Sequence, residues 1–311
     1  MNMPVRFLLR LGAALLACFC LLPARAADAP LKVVASFSIL ADMVRAVGGD
    51  AVSVSMLVGP DGDAHVFEPR PADARRVAGA DLVVVNGLDF EGWMTRLIRS
   101  AGYRGKVVVA SRGVTPRRMA EAHDHAHGPA GQAAHGSVDP HAWQDLANGM
   151  VYVENLRAAL VEARPAQAGA INARAAAYAA QLREMDAFVR ETLARVPLAQ
   201  RRVITSHDAF GYFGAAYGLE LLSPQGRSTE SEASAADVAR LIRQMKAHQV
   251  RAVFVENISN PRMVERIARE GGGVVGGRLY SDALSADPVA DSYLKMFRHN
   301  ATVLAGAMLA R

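Results

Sequence analysis

The sequence predicts an α/β protein of two βα lobes, each on a four-stranded, mostly parallel sheet, joined by one long rigid helix. Three observations carry that prediction. Apolar, β-branched runs alternate with stretches of helical spacing along most of the chain, the pattern of parallel strands covered on both faces by helices. The alternation occurs in two blocks of four strand-like runs, without residue-level repetition between them. Between the blocks lie about thirty residues rich in Ala, Leu, Arg, Glu and Gln, with no interior proline, a composition that favours one helix.

The chain begins with Arg6 and Arg10, an apolar run LGAALLACFCLL, and Ala24-Arg25-Ala26. A positive start, an apolar middle and an A-x-A site read as an export signal over 1–26, removed before Ala27. The apolar run is shorter than the roughly 20 residues that cross a bilayer, so no stable membrane insertion is expected. Leu15-Leu16-Ala17-Cys18 also has the form of a lipid-attachment box, which makes acylation of Cys18 the alternative. Both cysteines of the chain, Cys18 and Cys20, fall in this segment, so the mature protein would rest on its core and not on disulfides. The segment also holds three of the 35 basic residues and none of the 30 acids. The remaining balance is nearly neutral, which removes the electrostatic argument for nucleic-acid binding.

About 285 residues follow, enough for two lobes. In the first block, 27–165, the strands are KVVASF (32–37), VSVSMLV (52–58), DLVVVNG (81–87) and KVVVAS (106–111). LADMVRAVGG, PADARRVAGA and EGWMTRLIRSAG between them have helical spacing. The connector, 166–196, is bracketed by Pro165 and Pro197, and proline suits a helix boundary but not its interior. At about 1.5 Å per residue it spans roughly 45 Å. The second block, 197–311, has RRVITS (201–206), LELLS (219–223), AVFVEN (252–257) and GGVVGG (272–277) as strands.

Four stretches near strand ends carry strong ligands: His65 in GPDGDAHVFEP, His141 in SVDPHAW, His207 in ITSHDAFGYF and Asp282 in LYSDALS. In open parallel sheets ligands bind beyond the carboxyl ends of the strands. Two residues from each block could therefore close on one metal ion in the crevice between lobes. Five of the nine histidines crowd into 121–143. His141 lies in an ordered turn before a helix, whereas His123, His125, His127 and His135 belong to a Gly/Ala/Pro-rich loop over 121–137 that cannot fix them in one geometry. They read as auxiliary metal-capturing residues, since spaced imidazoles bind zinc without a preformed fold. His248 and His299 read as structural or surface residues.

The segments VVASFSILADMV, DAHVFEPRPAD, VDPHAWQD, TSHDAFGYFGAAYG, FVENISNP and GGRLYSDALS, in this order and spacing, resemble the periplasmic metal-binding proteins of ABC importers, the zinc/manganese class of solute-binding proteins (cluster A-I). The resemblance covers essentially the whole mature chain. It implies two βα lobes joined by a long helix, an ion between them, and His65, His141, His207 and Asp282 as its ligands. It also implies delivery of the ion to an ABC-type permease and its ATPase in the periplasm, with an accessory metallochaperone as a further candidate partner. A monomer is expected. Manganese-specific relatives tend to have glutamate where this chain has His207. Three imidazoles and one carboxylate favour Zn2+, with Mn2+ or iron as the alternative cargo.

Two other readings compete. A secreted zinc hydrolase would keep an open position on its metal, and no Gly-x-Ser-x-Gly, phosphate loop or His-Glu-x-x-His is present. A surface adhesin would need the lipid at Cys18. The expected protein is therefore not an enzyme.

Overall fold

Each half of the chain folds into a four-stranded parallel sheet with the same strand order. The computed structural model describes residues 29–118 and 138–310, so the expected signal and the loop histidines His123, His125, His127 and His135 lie outside the described residues. The first sheet contains β1 (Leu31–Phe37), β2 (Val52–Val58), β3 (Leu82–Val85) and β4 (Lys106–Val109) in the order β2-β1-β3-β4. The second contains β5 (Arg202–Ile204), β6 (Glu220–Leu222), β7 (Ala252–Glu256) and β8 (Val274–Leu279) in the order β6-β5-β7-β8. All pairings are parallel, so within each sheet the carboxyl ends of the strands share one edge.

β1 is central and, apart from Lys32, fully buried, as its unbroken apolar run requires. It passes directly into α1 (Ser38–Gly48). α2 (Pro71–Ala78) and α3 (Met94–Ser100) complete the first set of crossovers. α2 begins with proline at its first turn and the Arg70 N–H donates to the Asp73 carboxylate, a cap that needs no Ser or Thr. α4 (Leu146–Ala163) is capped by Asp145, which accepts from Ala147 N.

The long connector is α5, Ala168–Ala194, 27 residues or about 40 Å at 1.5 Å per residue. It starts two residues later than expected because Pro165–Gln167 forms a 3-10 turn first. Ile171, Ala175, Tyr178, Leu182, Met185, Val189 and Leu193 are buried at steps of three and four, which gives one apolar stripe. That stripe packs on α4, on α1 and on the C-terminal helix α9 (Tyr293–Leu309). The helix is thus a buried spine shared by both halves rather than a free-standing rod. Each of its larger apolar side chains contributes about 1.5–3 kcal/mol by leaving water.

The second sheet is crossed over by α6 (Gly211–Tyr217), α7 (Ala235–Ala247) and α8 (Pro261–Gly271). β8 begins two residues later than the GGVVGG run suggests, because Gly272 closes α8 at φ 77°, a left-handed conformation that favours glycine. One large core runs from β1 to α9 and includes residues of both halves. A smaller cluster, with Ile204, Leu241, Met245, Val253, Val264 and Ile267, lies under α7 and α8. Among the described residues no helix is long and apolar enough to cross a membrane.

Candidate metal centre

The structure brings His65, His141, His207 and Asp282 together at the strand ends, with one ligand atom from each within 4.8 Å of every other. Each is placed differently. His65 lies in the loop after β2, where Asp63 Oδ1 accepts its backbone N–H at 2.9 Å and Trp93 Nε1 donates to Ala64 O at 2.7 Å. This is a local side-chain turn clamped by a buried indole. The His65 ring stands edge-on to Phe90, centroids 4.8 Å apart.

His141 also has an aspartate two residues before it, used more fully. Asp139 Oδ1 accepts the backbone N–H at 3.0 Å and faces Nδ1 at 2.9 Å. Asn86 Nδ2 donates to Pro140 O at 2.9 Å, so both backbone and ring are held. His207 follows β5, and Glu256 at the end of β7 supports it. Glu256 Oε1 accepts from Ser206 N and His207 N at 2.8 and 2.9 Å, and Oε2 lies 2.6 Å from His207 Nδ1. A carboxylate on Nδ1 fixes the ring and leaves Nε2 for a metal.

The Nε2 atoms of His65 and His141 are 3.3 Å apart. Asp282 Oδ2 lies 3.2 Å from His65 Nε2 and 3.1 Å from His207 Nε2, and Oδ1 lies 3.7 Å from His141 Nε2. A tetrahedral zinc with bonds near 2.0–2.1 Å has ligand–ligand edges of about 3.3–3.4 Å, and these separations bracket that length. His141, His207 and Asp282 are fully buried, and His65 is 7 % exposed. Neither Asp282 oxygen has a hydrogen bond of ordinary geometry among the described residues; what they face is imidazole nitrogen. A buried carboxylate so placed is costly unless a cation balances it. Burial by itself would raise the Asp282 carboxyl, but the His207 and His141 side chains hold it well below the usual carboxylate range. Burial would likewise lower the His207 imidazole, but Glu256 and Asp282 outweigh it and hold it well above the ordinary histidine range.

The backbone around Asp282 is tied to the first half of the chain. Ser281 O accepts from Trp143 Nε1 and Gln144 Nε2 at 2.9 and 2.6 Å. Leu284 N donates to Ser38 Oγ at 2.9 Å, and Leu284 O accepts from Asp61 N at 2.8 Å. The Asp282 segment also bonds back to the second half, where Asn257 Nδ2 donates to Ala283 O at 3.2 Å, but more of its bonds join it to the first half, so His65, His141 and Asp282 form a three-ligand group beside His207 with Glu256.

Asp139 and Glu256 hold the rings of His141 and His207, and ligand-seeking sequence reading passes over both. The signals for them were an aspartate two places before a histidine and a single acid ending an apolar strand. Ser206-His207-Asp208 forms no catalytic relay: the Ser206 hydroxyl accepts from Glu256 N at 3.2 Å. His299 Nε2 donates to Arg278 O at 2.9 Å, and His248 caps α7; neither joins the cluster.

The family model of the zinc-uptake complex component A, periplasmic (ZnuA), matches residues 33–307. The manganese-binding lipoprotein MntA of Bacillus subtilis is 31% identical over 91% of this chain and 92% of its own length. The iron-binding protein YfeA of Yersinia pestis is 32% identical over 82% of this chain and 79% of its own. Among solved structures, the periplasmic zinc-binding protein TroA from Treponema pallidum superposes with a TM-score of 0.81 at 30% identity, covering 90% of this chain and 99% of that one.

Proposed function

We infer the function from one premise: this chain belongs to the family of periplasmic zinc-uptake component A proteins. It is a metal-binding, substrate-binding component of an ABC-type importer, and not an enzyme. Beyond that, we propose that its cargo is one Zn2+ ion, held by His65, His141, His207 and Asp282. The observation that carries this reading is the donor set: three imidazole nitrogens and one buried carboxylate within 4.8 Å of one another, with separations of 3.1, 3.2 and 3.3 Å near a tetrahedral edge. Such a set suits a borderline ion, whereas manganese takes more oxygen. The second reading, manganese, is favoured by Asp282 turning both oxygens towards ring nitrogens, because both oxygens on the ion would enrich the site in oxygen.

In this proposal the export signal over 1–26 is removed, the protein works in the periplasm, and a permease with its ATPase takes the ion from it. The lobes 27–165 and 197–311 meet on the ion, and segment 166–196 joins them. His123, His125, His127 and His135 collect ions weakly and lie outside the tight site. Ordering a glycine-rich loop costs roughly 1–2 kcal/mol per residue fixed, so its sites are weaker than one placed by strand ends. A calorimetric zinc titration of the metal-free protein and of a variant lacking residues 123–135 tests both statements. The full chain is expected to show one strong event per chain and a weak phase, and the deletion only the strong event. Loss of the strong event in the deletion would place the loop in the primary site.

A further inference from the structure

The loop between β2 and α2 carries two aspartates that reach across to the other half of the molecule. Asp61 Oδ1 accepts from Asn257 Nδ2 at 2.9 Å, and its Oδ2 accepts from Ala286 N at 3.0 Å. Asp61 itself sits at φ 54°, a left-handed conformation uncommon for residues other than glycine, which aims its carboxylate at the other half. Asp63 Oδ1 holds the backbone N–H of His65 at 2.9 Å, while Oδ2 accepts from Thr229 Oγ1 at 2.6 Å. The contrast with Asp139 is informative. Asp139 gives its Oδ1 to both the backbone and the ring of His141. Asp63 holds only the backbone of His65 and gives its other oxygen to the second half of the chain.

Two of these bonds cross the seam between the two ligand groups, since Asn257 follows Glu256, the residue that holds His207, and Thr229 lies in the same half. Ala286 lies in the segment that carries Asp282, so the Asp61–Ala286 bond stays within the three-ligand group. A cavity of 330 Å³ lined by Asp63, Gln225, Thr229, Ser259 and Asn260 lies beside the Asp63–Thr229 bond. Ile258 and Met263 line the same cavity, and beside it the Asp63–Thr229 hydrogen bond bridges the seam. His65, at the same seam, is the one ligand with measurable exposure, 7 % against 0 % for the other three.

We infer that Asp61 and Asp63 are positioning residues that form a clasp: they hold the His207-bearing half over the three-ligand group and so set how fast the ion leaves. The clasp does not touch the ion, and the inference rests on the four-ligand reading above. Breaking the clasp lets His207 withdraw more often, so dissociation quickens while capture by the remaining ligands does not. A net hydrogen bond is weak, so loss of either cross-seam bond is worth roughly two- to tenfold in release.

The test is zinc release from the loaded full-length protein into excess chromophoric chelator, followed by stopped flow. Asp61→Ala and Thr229→Val, each losing one cross-seam bond, are each expected to release zinc roughly two- to tenfold faster. Association rates should stay at wild-type values, and metal-free melting temperatures should fall only by the few degrees that one or two hydrogen bonds are worth. Thr229→Ser keeps the hydroxyl and should restore near-wild-type release. Wild-type release from both Asp61→Ala and Thr229→Val would overturn the clasp, as would Thr229→Ser releasing as fast as Thr229→Val, or association slowing by the same factor. His207→Ala separates the two readings. If it binds zinc as tightly as wild type, the four-ligand site and the clasp fall together; if it loses zinc while the clasp variants behave as wild type, only the clasp falls.

Discussion

The two sheets share a strand order but not a setting. The first has strands of seven, seven, four and four residues, and its core is continuous with α4, α5 and α9. The second has strands of three, three, five and six. Its outer layer, α7 and α8, packs on a small cluster of its own, and its edge strand leaves Val274 69 % exposed. Buried apolar area is the main source of rigidity and stability. The half that carries His65 and His141 is therefore anchored throughout, whereas the second half is anchored only around His207, where Val203, Phe210, Phe213 and Phe254 join the large core, and its α7–α8 layer rests on the small one. The backbone on either side of Asp282, at Ser281 and Leu284, is hydrogen-bonded to Trp143, Gln144 and Ser38 of the first half. A site of this kind holds its cargo with three ligands tied mainly to the first half and a fourth, His207, on the second. That suits a carrier that must bind tightly and still let go.

The largest expected effect on this comparison comes from pH. The imidazole on the second half, His207, is held well above the ordinary histidine range by Glu256 and Asp282 against the opposing effect of burial. Zinc takes the neutral ring, so binding at pH 7 must expel that proton. A raised pKa makes the proton a stronger competitor as pH falls. Affinity should therefore drop about tenfold per unit, roughly a hundredfold between pH 7 and 5, from His207 alone. Asp282, held well below the carboxylate range, stays ionised throughout and adds no slope. Competition titrations at pH 7, 6 and 5 measure this; a flat profile would break the assignment of His207 as a ligand.

A smaller effect sharpens the comparison by treating the two supporting carboxylates separately. Asp139→Asn and Glu256→Gln should each weaken zinc binding by about 10–100-fold at pH 8, the usual cost of losing a partner behind a metal-bound histidine. Glu256→Gln also removes the chief charge that holds His207 protonated, so its pH profile should be flatter than the wild-type one. A wild-type slope in Glu256→Gln would mean that Glu256 does not set the proton on His207.

Much of this was legible in the sequence because the relevant signals are local. Unbroken β-branched runs such as VSVSMLV mark buried parallel strands, and His65, His141, His207 and Asp282 each stand just beyond such a run or in a turn before a helix. The spine helix was legible in composition and bounding prolines, but its burial was not. Ile171, Tyr178, Leu182 and Val189 form a stripe only when wound at 3.6 residues per turn, and alanine between them blurs the pattern. The supporting carboxylates were hidden for another reason. Glu256 is 49 residues from His207, and a lone acid at a strand end has many ordinary uses. The allegiance of Asp282 to the first half was the least accessible feature, since it depends on an indole and an amide more than 130 residues away.

The central claim is that this three-histidine, one-carboxylate site is built for zinc, and the most direct measurement of it is metal competition. Metal-free protein beginning at Ala27 would be equilibrated with zinc and manganese at equal concentration in a chelator buffer, then desalted and analysed for both elements. The account predicts one zinc per chain with manganese excluded, and the same protein carrying His207→Ala retaining neither. Manganese retained at or above the level of zinc would contradict it.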